Sequence, residues 1–465
     1  MGKTYLFLSA ALLLGASFAQ ASENASGVIV KYREGQKRLR TDMTALYDAA
    51  GVKSVRRFSD MIKGLEELTL GENVKIQDAI AALQANPMVE YAQPNFILSI
   101  PEGEEVAQAP EAEGIPCIFP GINYPPGCDS STPSGGTSTS RGKKPALLPA
   151  PADVIPAVAD PSLSLAYGLD KIGAPKAWLS HKGTKDFIVA VIDTGIDYNH
   201  QDLAFNVWRN TNPGKDGDVA GYDFANNSGL PFDDNKHGTH TSGTVGAVGG
   251  NGIGVSGVAQ RVSLMGVKFL TAQGSGTTAN AVRAIDYAVE HGARVLSNSW
   301  GGRADTNNQA LQDSITRAQA KGVLFVAAAG NSSADNDGSS ASFPASFNND
   351  NIIAVAATDA TDKMASFSNF GLKTVHLAAP GANIYSTVPG GYAKLSGTSM
   401  ACPHVAGAAA LIWSQNPLLT YKQVKAALMN SVDVLPTLQG KTVTGGRINV
   451  DSALKLIRQQ RRTLQ

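Results

Sequence analysis

Five short apolar runs in the second half of the chain constrain its fold more than any other feature. They cover residues 187–192, 264–269, 295–299, 324–328 and 352–356. Gly, Asn or Asp follows each run, and several runs precede a stretch with helical periodicity, such as residues 279–291. Short continuous apolar runs indicate strands that are buried on both faces of a parallel sheet. The sequence therefore predicts an α/β fold over residues 162–458, with a mostly parallel central sheet flanked by helices.

A smaller unit precedes this region. Its pattern predicts four strands and two helices, at residues 27–32, 38–50, 52–58, 65–70, 74–85 and 89–97. The β-α-β-β-α-β order is that of a small ferredoxin-like α+β domain, which we predict within residues 22–100.

Three further segments are predicted to lie outside these two units. A basic residue, an apolar run and the small-residue site Ala19-Gln20-Ala21 predict a secretory signal peptide at residues 1–21. Residues 101–161 are rich in proline and have no apolar periodicity, which predicts an extended linker. Residues 459–465 are predicted to form a C-terminal tail. We therefore expect a secreted protein, extracellular or periplasmic, without a membrane anchor.

The charge balance excludes one class of partner. The chain has 39 Lys plus Arg and 39 Asp plus Glu, and its basic residues form no stripe. Nucleic-acid binding through bulk charge is therefore not expected. We expect a monomer.

The three cysteines are an odd number. Cys117 and Cys128 are close enough in the linker for a small disulfide in an oxidising compartment. Cys402 stands among Met, Ala and Pro, and we predict a buried apolar residue rather than a nucleophile.

An acid and a base occur at positions that favour catalysis. Asp193 directly follows an apolar run, so its carboxylate is expected at the carboxyl end of a strand. Asp197 and Asp202 are alternatives, but neither directly ends a strand. His237 opens a helix of small residues, where a base can be held rigidly towards a cleft.

A hydroxyl and an amide complete this set. Ser399 precedes the predicted helix 400–412, whose N-terminal N–H groups favour a developing oxyanion. Pro403 is expected to fall in the first turn of that helix, where proline is tolerated. Asn331 follows a predicted strand, and its amide could donate to the same oxyanion.

His240 lies three residues after His237, and such a pair could bind a metal ion. The sequence has no third ligand at zinc spacing and no His-Glu-x-x-His motif. We predict that His240 is a core histidine. A metal-dependent hydrolase that uses both histidines is the alternative.

The segments around Asp193, His237, Asn331 and Ser399 resemble those of the subtilisin-like serine proteases, the subtilases. The resemblance extends over residues 165–456. It implies that Asp193, His237 and Ser399 form a catalytic triad, with Asn331 as the oxyanion donor. The expected activity is that of a serine endopeptidase acting on proteins or peptides.

Residues 27–98 resemble the N-terminal propeptide of the same family, an inhibitor and folding aid. This implies a self-processed zymogen, with its own propeptide as intramolecular inhibitor and a maturation site between residues 98 and 162. A catalytically silent chain acting as an inhibited binding protein is one alternative. A narrowly specific processing protease is another.

The resemblance also implies substrate contacts. The residues expected to bind an extended substrate, or to form the base of the first specificity pocket, are Gly274, Ser275, Gly276, Ser299, Trp300, Gly301 and Ser342. The neutral Ser342 favours apolar or medium-sized side chains, whereas the nearby Asp335 and Asp337 could favour Lys or Arg. We expect broad specificity with an apolar preference.

Structural calcium is the cofactor that the resemblance implies. Asp202 and Asn251 match a family calcium site, in which a loop corresponding to residues 249–255 supplies oxygen ligands. This loop is one residue longer here. A second, acidic calcium loop of many relatives corresponds to residues 212–218, a short stretch that contains Lys215.

Overall fold

The computed structural model describes residues 25–35, 38–58, 62–101, 144, 147, 157–303 and 308–463. The predicted signal peptide, the two linker cysteines and most of the linker lie outside these residues. Among the residues described, no helix has the length and apolar character needed to cross a bilayer.

The N-terminal unit has the predicted β-α-β-β-α-β order. Its elements are Ala25–Tyr32 (β1), Arg40–Ala49 (α1), Val52–Arg57 (β2), Leu65–Leu70 (β3), Ile76–Gln84 (α2) and Val89–Ser99 (β4). The strands pair antiparallel in the order β2-β3-β1-β4. Because side chains alternate along a strand, Val28 and Val30 face the core beneath the two helices, whereas Ile29 faces the second unit.

The strands of the second unit are, in chain order, Gly183–Asp193 (β5), Gly221–Asp223 (β6), Arg261–Lys268 (β7), Ser275–Thr277 (β8), Val295–Asn298 (β9), Gly302–Arg303 (β10), Leu324–Ala328 (β11), Ser342–Phe343 (β12), Ile352–Thr358 (β13), Leu377–Pro380 (β14), Ile384–Val388 (β15), Gly391–Leu395 (β16), Asp433–Val434 (β17) and Gly446–Arg447 (β18). Nine of them form one sheet, in the order β17-β18-β14-β13-β11-β9-β5-β7-β6. Every pairing in this sheet is parallel except that of β17 with β18. The five predicted runs correspond to β5, β7, β9, β11 and β13, which confirms the α/β prediction.

The helices of the second unit are Tyr167–Lys171 (α3), Ala174–Trp178 (α4), His237–Gly246 (α5), Thr278–Glu290 (α6), Gln309–Ala320 (α7), Thr398–Gln415 (α8), Tyr421–Met429 (α9) and Val450–Thr463 (α10). Helix α8 is buried from Thr398 to Ser414, because its Ala and Gly residues let it pack closely against the sheet. Helix α10 continues to Thr463 and so includes most of the segment predicted as a tail.

The prediction for Pro403 is wrong, because α8 begins at Thr398 and Pro403 therefore lies in the second turn. Proline has no N–H, so the Ser399 carbonyl lacks its usual donor four residues later. It accepts a hydrogen bond from Ser299 Oγ instead, at 2.8 Å. This bond fixes the start of α8 against the end of β9.

Candidate active site

Asp193 and His237 are in direct contact. Asp193 ends β5 and is fully buried, and its Oδ1 lies 2.7 Å from His237 Nδ1. The same oxygen accepts the Thr194 N–H at 2.7 Å. A neutral imidazole must donate from Nδ1 in this arrangement, so its Nε2 is left as the base. The alternative Asp197 is engaged elsewhere, since it accepts the N–H of Gly390.

Asp233 was not singled out in the sequence, although an Asp shortly before a helix is a common capping signal. It is buried and accepts hydrogen bonds from Thr239 N at 2.8 Å and from Thr239 Oγ1 at 2.6 Å. It also accepts from Thr194 Oγ1 at 2.9 Å. Asp233 therefore connects the first turn of the His237 helix to the residue that follows Asp193.

Ser399 is the second residue of α8 and is buried. Its hydroxyl donates to the Ser299 carbonyl at 3.3 Å, and His237 Nε2 has no hydrogen-bond partner among the residues that the structure describes. The expected hydrogen bond from the serine to the base is therefore absent here. Such bonds are often formed only when substrate is engaged.

Asn331 follows β11 and faces the start of α8. Its Oδ1 accepts both the N–H and the hydroxyl of Thr398, each at 2.8 Å, so its Nδ2 is directed away from them. Gly397 has φ 155°, and a Cβ there would lie 3.1 Å from Asn331 Nδ2 and 3.5 Å from Ser399 N. Glycine thus leaves room for an oxygen between these two donors.

The end of β4 lies in the cleft as an added strand. It pairs antiparallel with β8, in the register Ile97–Thr277, Leu98–Gly276 and Ser99–Ser275. On its other side, Ser99 exchanges two backbone hydrogen bonds with Gly301, at 3.0 and 2.9 Å. Ile100 N donates to the Gly274 carbonyl at 3.0 Å, and Asn331 Nδ2 donates to the Pro101 carbonyl at 3.3 Å. The two segments predicted to bind substrate therefore flank the chain's own residues 97–101.

The side chains around this strand are mainly apolar. Leu98 is buried in the same apolar cluster as Trp300, whose ring packs 4.8 Å from that of Phe269 and belongs to the core. Ser342 lies beside Gly301, since a Cβ on that glycine would be 3.1 Å from Ser342 Oγ. The Asp337 carboxylate accepts the N–H groups of residues 373 and 374 and is therefore engaged away from Ser342.

The N-terminal unit also caps two helices of the second unit. Asn95 Oδ1 accepts the Ala279 N–H at the start of α6, and Gln93 Oε1 accepts the Ala310 N–H at the start of α7, each at 2.9 Å. Glu67 forms an ion pair of 2.7 Å with Arg283. The contacts of Asn95 and Gln93 satisfy helix N–H groups that have no partner within their own helices.

The predicted calcium residues lie together with a third residue that sequence reasoning missed. Asn251 Nδ2 donates to Asp202 Oδ1 at 2.8 Å, and Val255 N donates to Asp202 Oδ2 at 2.9 Å. Asp160 accepts the N–H groups of Gly250 and Asn251. Burial raises the pKa of Asp160, and it raises the pKa of Asp202 to about 8 against the lowering effect of its hydrogen bonds.

His240 and Cys402 have the core positions that were predicted. His240 Nε2 donates to the Ile384 carbonyl at 2.8 Å, and burial lowers the pKa of its imidazole to about 3. Cys402 is fully buried, and burial raises the pKa of its thiol to about 12. A thiol that stays protonated at neutral pH is a poor nucleophile.

Comparison with known proteins gives two family matches. The profile of the subtilase family (Peptidase_S8) matches residues 184–452, and that of the fervidolysin N-terminal prodomain matches residues 26–95. Thermitase of Thermoactinomyces vulgaris is 41% identical over 293 residues, which cover 63% of this chain and 96% of thermitase. The thermophilic serine proteinase of Bacillus sp. (strain AK1) is 40% identical over 290 residues, 62% of this chain and 66% of that protein. Subtilisin DY of Bacillus licheniformis is 39% identical over 293 residues, 62% of this chain and 98% of that protein.

Proposed function

Since this chain belongs to the subtilase family and is a subtilisin-like serine protease with a prodomain, we propose that Asp193, His237 and Ser399 are its catalytic triad. Asn331 and the Ser399 N–H are the oxyanion donors. The 2.7 Å contact between Asp193 and His237 and the open space beside Gly397 support these roles.

The proposed reaction has two halves. His237 Nε2 takes the proton of Ser399 Oγ as that oxygen attacks the substrate carbonyl, and Asp193 stabilises the imidazolium that forms. The carbonyl oxygen becomes an oxyanion between Asn331 Nδ2 and the Ser399 N–H. His237 then gives its proton to the leaving amine, and water releases the acyl group from Ser399 by the reverse sequence.

Replacement of Asn331 by Asp is expected to lower kcat while KM changes little. The carboxylate can still accept the two hydrogen bonds from Thr398 but cannot donate to the oxyanion. We expect a loss of about 10²- to 10³-fold, a magnitude known from subtilisin itself that we adopt rather than deduce from this structure. Steady-state kinetics on a peptide amide would measure it. A KM effect without a kcat effect would contradict this role. Thr398→Val is the control, because it removes the hydroxyl that helps to hold Asn331 but keeps the Asn331 amide as a donor.

We further propose that the protease cleaves its own Pro101–Glu102 bond. The observation that carries this proposal is the position of the Pro101 carbonyl, 3.3 Å from Asn331 Nδ2, at the end of a strand bound through Ser99 and Ile100. An extended segment held on both sides by backbone hydrogen bonds is the way in which a substrate strand binds by β-augmentation. After cleavage, the N-terminal unit stays bound through its helix caps and the Glu67–Arg283 ion pair, and so acts as an inhibitor.

The mass of the mature N-terminus tests this proposal. We expect the purified protein to yield an N-terminal fragment that ends at Pro101 and a catalytic fragment that begins at Glu102. A different terminus within residues 98–162 would contradict the bond assignment but not the protease activity. An uncleaved chain without activity would favour the inhibited binding protein instead.

The specificity is proposed to be broad with an apolar preference. Leu98 and Pro101 are apolar residues in the cleft, and Leu98 is buried there. The carboxylate of Asp337 is already bonded to residues 373 and 374, so it offers little attraction to a basic side chain in the pocket of Ser342.

We also propose a structural calcium ion held by Asp202, Asp160 and Asn251, together with carbonyl oxygens of the 249–255 loop. The donors fit this ion, since calcium prefers oxygen ligands and two buried carboxylates lie against one loop. Burial is the main cause of the raised pKa of Asp202, and the neighbouring Asp160 carboxylate raises it further. The signal-like residues 1–21 support secretion to a compartment where such an ion is plentiful.

Calcium is expected to raise the melting temperature of a Ser399→Ala chain, in which self-digestion cannot interfere. At about 100 times the Kd, binding stabilises by about 2.7 kcal/mol, which corresponds to a shift of roughly 3–4 °C for a chain of this size. Calorimetry with calcium and with a chelator would measure the shift. Asp202→Asn should reduce it, and an undiminished shift in that variant would mean that the ion binds elsewhere.

A further inference from the structure

Lys144 is a residue of the predicted linker that neutralises a buried charge of the catalytic unit. Its Nζ donates to the Asp223 carboxylate and, at 3.1 Å, to the Leu230 carbonyl. The Asp223 side chain is fully buried, whereas that of Lys144 is 25% exposed. Within the described part of the chain, Asp223 forms no ion pair with another basic residue. A buried carboxylate is costly without a cationic partner, so this contact matters for stability.

Asp223 organises the turn that follows β6. Its Oδ1 accepts the Asn226 N–H, and its Oδ2 accepts from the Asn226 side-chain amide, each at 2.9 Å. Its backbone exchanges two hydrogen bonds with Ser228, at 2.8 and 3.0 Å. Lys144 bonds to the first residue of this turn and to Leu230 beyond its end. One ammonium group therefore holds both ends of the segment 223–230.

This segment leads directly into the candidate active site. The Pro231 carbonyl accepts the Ile196 N–H at 2.9 Å, so the chain after the turn is fixed to the residues that follow Asp193. Two residues later comes Asp233, which binds both Thr194 and the first turn of the His237 helix. Leu147 packs against the main apolar cluster of the catalytic unit, as does Leu230.

We propose that Lys144 and Leu147 are permanent parts of the mature catalytic unit, with Lys144 as the built-in cation that keeps the segment 223–230 ordered. The inference rests on the proposed function in one respect, because Lys144 lies downstream of the Pro101–Glu102 bond and so stays attached after cleavage. Maturation then removes the N-terminal unit and retains the anchored end of the linker. A second cleavage between residues 147 and 157 would detach the cation and weaken the protease.

A double-mutant cycle in the full-length Ser399→Ala chain tests the pairing without dependence on the cleavage bond. Lys144→Met leaves the Asp223 carboxylate buried and unpaired, and we expect its melting temperature to fall by roughly 5 °C or more. Asp223→Asn removes the charge, so the double variant should recover much of that loss. Lys321→Met, at an exposed lysine for which the described residues give no ion pair, is the control and should have little effect. An unchanged melting temperature in Lys144→Met, an equal loss in Lys321→Met or additive losses in the double variant would overturn the proposal.

The mass of the active wild-type enzyme is the second test. The proposal requires a mature N-terminus at or before Lys144. A mature N-terminus at Glu102 agrees with the proposed cleavage bond and with the retention of Lys144. An N-terminus between residues 103 and 144 contradicts the proposed cleavage bond but agrees with the retention of Lys144. A fully active and stable enzyme that begins after Lys144 would overturn the retained-linker inference.

Discussion

Replacement of Ser399 by Ala is expected to lower kcat for peptide hydrolysis by about 10⁶-fold, the magnitude known for the same change in subtilisin, which we adopt here. The hydroxyl is the only group of the protein that the proposed reaction uses as a nucleophile, so its loss removes the attack on the substrate carbonyl. The fold should be retained, because Ser399 Oγ makes one hydrogen bond of 3.3 Å and the helix contact through the Ser399 carbonyl is unaffected. Steady-state kinetics and the melting temperature would measure the two effects.

The same variant separates the protease from its alternatives. The Ser399→Ala chain should remain full length, whereas the wild type should be cut, if the cleavage is carried out by the chain itself. Retained activity in the variant would favour a metal-dependent hydrolase that uses His237 and His240. The contact of His240 with the Ile384 carbonyl gives that histidine a core role instead. Cleavage of both chains would mean that another protease performs the maturation.

The parts of this molecule that could be predicted are those with a local sequence signal. A strand that is buried on both faces requires an uninterrupted apolar run, and five such runs became β5, β7, β9, β11 and β13. Asp193 and Asn331 follow two of these strands, and His237 and Ser399 begin helices. The ends of these strands and the short motifs around His237 and Ser399 are visible in the sequence, so these four residues could be found without the structure.

The parts that could not be predicted depend on contacts between distant residues. Asp233 binds Thr194, 39 positions away, and Asp160 binds Gly250, 90 positions away. The start of α8 is fixed in the same manner, because the Thr398 N–H is capped by Asn331, 67 positions away, and by no neighbouring side chain. A helix whose cap comes from another element has no local start signal, which explains the error over Pro403.

Loss of the Asp193 carboxylate is expected to have the second largest effect. Asp193→Ala should lower kcat by about 3 × 10⁴-fold, again a magnitude known from subtilisin that we adopt. Without the carboxylate, His237 Nδ1 has no acceptor, so neither the tautomer nor the imidazolium is stabilised. Kinetics at fixed pH would measure this loss, and an effect on KM alone would contradict the assignment of Asp193.

Asp193→Asn tests which of these two roles dominates. In the structure, one oxygen of Asp193 accepts both the His237 Nδ1–H and the Thr194 N–H, while the other faces the Thr241 hydroxyl at 3.4 Å. The oxygen of an Asn side chain should face the two N–H donors, because an NH₂ group in that position would place donor against donor. The NH₂ group then faces Thr241, whose hydroxyl oxygen can accept a hydrogen bond from it. The correct tautomer is then kept and only the charge is lost. We therefore expect Asp193→Asn to be more active than Asp193→Ala; equal or lower activity would mean that the amide turns the other way and inverts the imidazole tautomer.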